Sequence, residues 1–349
     1  MLVVFYVSGH GLGHASRAVE LISALTTGCP DIRIVVRTDA RRWAFERTRS
    51  PAVDVQPFET DPGVVQIDSL TLDEDETARR AAQFYGDFDR RVSDEADRLR
   101  DLGATFVLGD IPPLAFAAAH RAGVRSVAVA NFTWDWIYGH YPQFERIAPG
   151  VLDTIARAYA HADLALRLPM HGGFEPMMEM TRDIPFIARR STGDPAETRR
   201  ALGLDAGRPI VLASFGGYGV ELPADRIARS GRLSLVAPER DAPSGLKYED
   251  LVAAADVVVS KPGYGIVSEC IANDTALLYT SRGRFAEYDV MVGEMPRVLR
   301  CRYIAQEDVL AGRWADAVDA LLAQPPPPDR AAINGAAVAA GEILKLAIG

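Results

Sequence analysis

The sequence predicts an α/β protein made of two doubly wound parallel sheets. Three observations predict it. Short apolar runs rich in β-branched residues alternate with longer amphipathic ones. The alternation lapses at about residues 163–205 and then starts again. The chain's 349 residues also exceed what one core ordinarily serves, since hydrophobic cores split beyond about 250 to 300 residues.

Taken in order, Leu2 to Val7 reads as a first strand, about Ser16 to Thr26 as a helix and Ile32 to Arg37 as a second strand, which is a βαβ unit. A long charged helix near Thr77 to Leu102 follows, then a strand Thr105 to Leu108, a helix Leu114 to Ala122 and a strand Ser126 to Val129. Met170-His171-Gly172-Gly173, Met177 to Met180 and Pro185 read as irregular, so a domain boundary is expected there. Strands Ile210 to Ser214, Leu233 to Ala237, Val257 to Ser260 and Ala276 to Thr280 form the second series, with helices between the last three. Pro325 to Pro328 make a stiff strap before an Ala-rich helix, Ala331 to Ala347. The expected division is a first domain at 1–184, a second at 185–329 and a final segment 330–349 whose helix crosses back to the first.

Composition excludes several classes. A formal net charge of −9 gives no basic face with which to displace counterions from a phosphate backbone, so nucleic acid is not an expected partner. Cys29, Cys270 and Cys301 have no zinc-like or disulfide-framework spacing and read as free thiols. Met1 to Val7 lacks a basic leader and no run is long enough to span a bilayer, so the expected location is the cytoplasm. Oligomeric state is left open.

The residues that carry chemistry begin after the first strand. Gly9, Gly11 and Gly13 lie where a strand turns into a helix, a place where a ligand reaches backbone amides and the helix N-terminus. The spacing does not fit G-x-G-x-x-G, because His14 or Ser16 stands where the last glycine belongs. His10 and His14 are four apart, but the intervening glycines argue against a helical zinc pair, and no metal is assigned. His14 reads either as a helix-capping or core histidine or as a general base at the mouth of a parallel sheet. Asp110, ending another strand, either orients that imidazole or caps the helix beginning near Pro112.

In the second series, Ser214-Phe215-Gly216-Gly217-Tyr218-Gly219 and Lys261-Pro262-Gly263-Tyr264-Gly265 repeat the strand-then-glycine arrangement, which suits a diphosphate. Glu269, one helical turn beyond Gly265, either takes ribose hydroxyls or merely favours a helix N-terminus. Asp73-Glu74-Asp75-Glu76 contains a D-x-D arrangement but reads as a solvated helix start. Trp134-Asp135-Trp136 and Tyr138 read as core packing or as rings for a sugar acceptor.

With these residues in view, the chain resembles the glycosyltransferase-like N-terminal domain of plant L-arabinokinases and its stand-alone bacterial relatives. The resemblance rests on Gly9-His10-Gly11-Leu12-Gly13-His14-Ala15-Ser16-Arg17, on residues Asp61 to Asp68, Asn131 to Tyr138 and Lys261 to Glu269, and on Ile333-Asn334-Gly335. More distantly it is similar to the GT-B superfamily, which includes the N-acetylglucosamine transferase of peptidoglycan synthesis and plant natural-product glycosyltransferases. The resemblance implies two Rossmann-like domains facing a cleft whose floor includes Gly9 to His14. No P-x-x-x-G-L-x-S-S loop of a sugar kinase occurs, so kinase activity is not implied.

By the same resemblance, His14 and Asp110 are the catalytic pair, and His10, Gly11, Gly13, Gln66, Asp68, Trp134 and Asp135 lie on the acceptor side. Arg189, Gly216, Gly217, Lys261, Gly263, Gly265, Glu269 and Glu287 belong to the donor side, with Arg189 on phosphate and Glu287 near the donor sugar. Only some twenty residues separate Ala237 from Val257, fewer than in the relatives, where this segment helps enclose the nucleobase. The expected activity is hexosyl or pentosyl transfer from a nucleotide-diphosphate-sugar, first of all a UDP-sugar, to a small-molecule or glycoconjugate acceptor. The nucleotide-sugar is a co-substrate, no other cofactor or metal is expected, and the outcome is inverting because one base and no carboxylate nucleophile are assigned. A nucleotide-sugar epimerase and a non-catalytic nucleotide-sugar-binding protein are the alternatives.

Overall fold

The computed structural model describes residues 1–48, 50–204, 207–216, 220–237 and 245–348. The chain divides into two compact units. Unit 1 comprises Met1–Val65, Leu72–Ile187 and Asn334–Gly349, and unit 2 comprises Gln66–Thr71 and Ala188–Ile333.

Unit 1 holds a seven-stranded sheet in the order β3-β2-β1-β4-β5-β6-β7. The strands are β1 (Leu2–Val7), β2 (Arg33–Thr38), β3 (Val53–Pro57), β4 (Phe106–Asp110), β5 (Ser126–Phe132), β6 (Leu164–Gly172) and β7 (Thr181–Asp183). Every neighbouring pair is parallel. The first five follow the Rossmann order, so the strand direction of travel reverses between β1 and β4, where open α/β sheets bind ligands. β1, β4 and β5 are almost wholly buried, as strands covered on both faces must be, and their apolar runs are accordingly near continuous.

Unit 2 holds a five-stranded parallel sheet in the order β12-β11-β10-β8-β9. Its strands are β8 (Ile210–Ala213), β9 (Ser234–Val236), β10 (Val257–Ser260), β11 (Ala276–Tyr279) and β12 (Cys301–Tyr303). The reversal here falls between β8 and β10. Val211, Val257, Val259, Leu278, Trp314 and Leu321 are among its buried core.

Several sequence expectations change. The single helix Thr77 to Leu102 is two, Glu74–Gly86 and Phe88–Leu102. Asp87 stands between them with φ −107° and ψ 14°, outside helical geometry, just after a residue with low helix propensity, Gly86. The stretch read as irregular contains β6, in which Pro169 lies at a register shift against β5. A strand proline is tolerated at such a shift because no ladder hydrogen bond is lost there. β3 and β12 were not expected. Both are short sheet edges with mostly half-exposed or exposed residues, and their apolar-polar alternation runs over too few residues to stand out. The final helix begins at Gly335 rather than Ala331 and packs on the helix Leu12–Gly28 in unit 1. Asp73 caps the helix after it, its Oδ1 accepting from the Glu76 amide at 2.8 Å, so the acidic run starts a helix.

Candidate active site

In unit 1 the site is assembled by the loop after β1 and the end of β4. Ladder pairing sets Val7 beside Asp110, and four residues separate the end of β1 from the helix Leu12–Gly28. Gly11, its N-cap, has φ 76° and ψ 179°, a region that is essentially glycine-only. A methyl group on Gly9 would run into the present position of the Asp39 carboxylate. Gly11 therefore serves the tight path of the turn itself.

That turn puts His14 on the inner face of the first helical turn, 5% exposed. His14 Nδ1 is 2.9 Å from Asp110 Oδ1. Arg17 is on the same face, three residues on. Its Nε donates to Asp110 Oδ2 at 2.6 Å, its Nη2 to Asp110 Oδ1 at 2.5 Å and its Nη1 to Asn131 Oδ1 at 2.6 Å. Burial pushes the Asp110 carboxyl up, but the charge and hydrogen bonds of Arg17, joined by the contact with His14, outweigh burial and hold it below the usual carboxylate range. The pair is thus an ionised carboxylate against an imidazole. Sequence reasoning brought His14 and Asp110 together but gave Arg17 and Asn131 no role, although both lie in the motif blocks. The helical spacing of His14 and Arg17 was the available signal.

The neighbouring loop, 60–65, buries two polar side chains, Thr60 and Asp61. Asp61 accepts from the Ser8 and Thr60 hydroxyls and the Gly63 amide, at 3.0, 3.3 and 3.0 Å. Burial, with the like charge of Asp39 adding to it, outweighs those three donors and pushes its carboxyl up to about 7. His10 Nδ1 accepts from the Val64 amide at 3.3 Å. Trp134 is fully buried. It stacks on Tyr138 at 5.4 Å and meets the rings of His10 and His14 at 5.5 and 6.5 Å. Its ring backs the two histidines, which is the packing role allowed for it above. Asp135 is half-buried, and burial raises its carboxyl. Gly13 lies in the helix's first turn.

In unit 2 the loops after β8 and β10 flank the reversal point. Ser260 Oγ donates to the Ser214 carbonyl, tying the two loop starts together. Gly216 has φ 77°, and Gly217 lies outside the described residues, as do residues 238–244 of the short segment before β10. Gly263 is the N-cap of the helix Tyr264–Ala272, and Gly265 is in its first turn. Lys261 Nζ donates to Gln66 Oε1 at 3.4 Å, and Ser69 Oγ donates to the Phe215 carbonyl at 2.8 Å. Gln66 and Asp68, expected with the acceptor-side residues, therefore belong to unit 2. Burial, and next Arg282, push the Lys261 ammonium down to about 7, against the opposing pull of Asp68 and Glu287.

Arg282 was missed by sequence reasoning. It is buried and donates to the Pro262 carbonyl at 3.2 Å and to Glu287 Oε2 at 3.4 Å. Glu287 is thus a buried partner of an arginine. Arg189 and Glu269 also pair, with Nε and Nη2 at 2.6 and 2.5 Å from Oε1. The two residues expected on phosphate and ribose are brought side by side.

No protein-family model matches the chain. By sequence it is 30% identical, over 371 aligned positions, to an L-arabinokinase of Arabidopsis thaliana, covering 100% of this chain and 35% of that protein. It thus spans about a third of the length of the curated relative it matches. By structure it superposes on CalG4, the calicheamicin glycosyltransferase, with a TM-score of 0.60 at 14% identity, covering 99% of this chain and 96% of that one. It also superposes on Phytolacca americana UGT2, complexed with UDP-2fluoro-glucose and pterostilbene, with a TM-score of 0.59 at 13% identity, covering 99% and 93%. The chain has the glycosyltransferase-like GT-B fold. At these identities the structural likeness speaks for the fold, and the residues must argue the chemistry. No helix among the described residues is long and apolar enough to cross a membrane.

Proposed function

We propose that this GT-B chain transfers a sugar from a nucleotide-diphosphate-sugar to a hydroxyl of an acceptor, without a metal and with inversion. The observation that carries the reading is the buried His14–Asp110 contact of 2.9 Å at the reversal point of the unit 1 sheet. An imidazole held at Nδ1 by an ionised carboxylate presents Nε2 as a base that can take the acceptor's proton as the hydroxyl oxygen attacks the anomeric carbon. The glycosidic bond forms as the bond to the diphosphate breaks, and the electron pair leaves with the diphosphate.

Unit 2 supplies the donor side. Lys261 and Arg282, beside the N-terminus of the helix Tyr264–Ala272, offer positive charge and amides to a departing diphosphate, the electrostatic task a metal performs elsewhere. A UDP-sugar is the first donor to try, since UGT2 is complexed with UDP-2fluoro-glucose. L-arabinose belongs in the panel of sugars because of the name of the matched plant protein.

The test is product formation from a panel of nucleotide-sugars and hydroxylated acceptors, with wild type and His14→Ala side by side. Loss of a general base lowers turnover by about 10²- to 10⁴-fold. A folded His14→Ala protein with the full transfer rate would rule out the assigned role. Donor converted to an epimer with no acceptor present would replace transfer with epimerisation.

A further inference from the structure

Arg17 is 3% exposed and touches both His14 and the carboxylate that His14 meets, Asp110. Asn131, which holds its Nη1 end, is fully buried as well. The contact is therefore built at both ends of the guanidinium. Arg17 Nη2, His14 Nδ1 and Asp110 Oδ1 form a nearly equilateral triangle with sides of 2.5, 2.9 and 2.9 Å. The N–H bonds of a planar guanidinium nitrogen diverge by roughly 120°. The hydrogen that Nη2 aims at Oδ1 therefore leaves its second hydrogen well off the line to Nδ1. The well-aligned arrangement has both nitrogens donating to Oδ1, so the imidazole proton sits on Nδ1 and the Nε2 lone pair is bare.

Charge points the same way. A lone buried carboxylate draws a second proton onto a neighbouring imidazole, and a guanidinium at the same range repels it. Among the described residues, the groups facing His14 are Arg17 from its own helix, Asp110 from β4, Phe132 from β5 and Trp134 just beyond it, with Asn131 of β5 against Arg17. The charged members are one cation and one anion.

We propose that Arg17 is the positioning residue of the dyad: it clamps Asp110 so that His14 carries its proton on Nδ1, and it counters the carboxylate's pull on a second ring proton. The role rests on reading His14 as the base, but its test observes the imidazole directly and needs no substrate.

The experiment is a pH titration of protein labelled with ¹⁵N in its histidine rings, with His14 assigned by its absence from the His14→Ala spectrum. In wild type the expected neutral form is Nδ1–H, and an Nε2–H form overturns the proposal. In Arg17→Met the His14 midpoint is expected to rise by at least one pH unit, about a tenfold gain in proton affinity, while His120, His140 and His161 stay in place. Arg17→Lys keeps the charge and loses the fork, so its midpoint should stay near wild type while the tautomers mix. An unmoved midpoint in Arg17→Met, or equal shifts in both variants, overturns the proposal. If Arg17→Met does not fold, the wild-type tautomer and Arg17→Lys decide. Failure of the base reading looks different: an Nδ1–H histidine in a protein that transfers nothing.

Discussion

Two buried carboxylates show how much a single partner decides. Asp110 and Asp61 are 1% and 4% exposed, yet one is held below the ordinary range and the other rises to about 7. Asp110 has a guanidinium against both oxygens, whereas among the described residues Asp61 is met by hydroxyls and an amide, and the like charge of Asp39 adds to its rise. Neutral donors do not offset full desolvation, and an adjacent cation does. Lys261 carries the same logic with the sign reversed. Burial and Arg282 bring its ammonium down to about 7, so it is charged below that pH and loses its charge as pH rises through it. A bound diphosphate favours the charged form, so binding above neutrality should draw in a proton. Calorimetric titration with UDP is expected to give an affinity that falls from pH 6 to pH 8. Lys261→Met should bind more weakly at pH 6 and lose most of that pH dependence. A wild-type affinity that does not change between those pH values would show that Lys261 does not hold the phosphates.

At the scale of elements, the turn from β1 into the helix Leu12–Gly28 was legible because its signal is local. An apolar run, three glycines and a following amphipathic stretch identify it, and the histidine's place on the first turn follows. What could not be read was whatever depends on residues far apart in sequence. The Arg17–Asp110 fork spans 93 positions. The Lys261–Gln66 contact spans 195 and moves Gln66 and Asp68 into unit 2. Edge strands β3 and β12, five and three residues long, are too short for their alternation to stand out. The pairing of Arg189 with Glu269 was likewise hidden, since each residue alone suits a ligand. The turn itself makes a prediction. Gly11→Ala must hold a Cβ at φ 76° and ψ 179°, at a cost of roughly 1–3 kcal/mol. Thermal unfolding should shift downward, and the shift should come with loss of the His14 ring signal pattern of wild type. An alanine protein as stable as wild type would mean that the turn adopts another path without penalty.

At the scale of the whole molecule, the chain starts in unit 1, lends residues 66–71 to unit 2, builds most of unit 2 from residues 188–333 and finishes in unit 1 with the helix Gly335–Ile348. That helix is an integral layer of unit 1. Ala339 and Ile343 are fully buried, Gly335 donates its amide to the Phe186 carbonyl at 3.0 Å, and Ile187 bridges Asn334. Arg182 pairs with Glu342 at 2.6 Å, and Arg125 donates to the Leu346 carbonyl at 2.8 Å. The face it covers is that of the helix Leu12–Gly28, which carries His14 and Arg17. Burying one isoleucine side chain is worth about 1.5–3 kcal/mol, against total stabilities of about 5–15 kcal/mol. Ending the chain after Ile333 should therefore lower the unfolding temperature of unit 1 and abolish any activity that needs His14. Amide hydrogen exchange is the discriminating measurement. Protection should fall along Leu12–Gly28 and β1 while the strands of unit 2, which the final helix does not belong to, keep theirs. Undiminished protection along Leu12–Gly28 in the shortened chain would mean that unit 1 holds its catalytic helix without this layer.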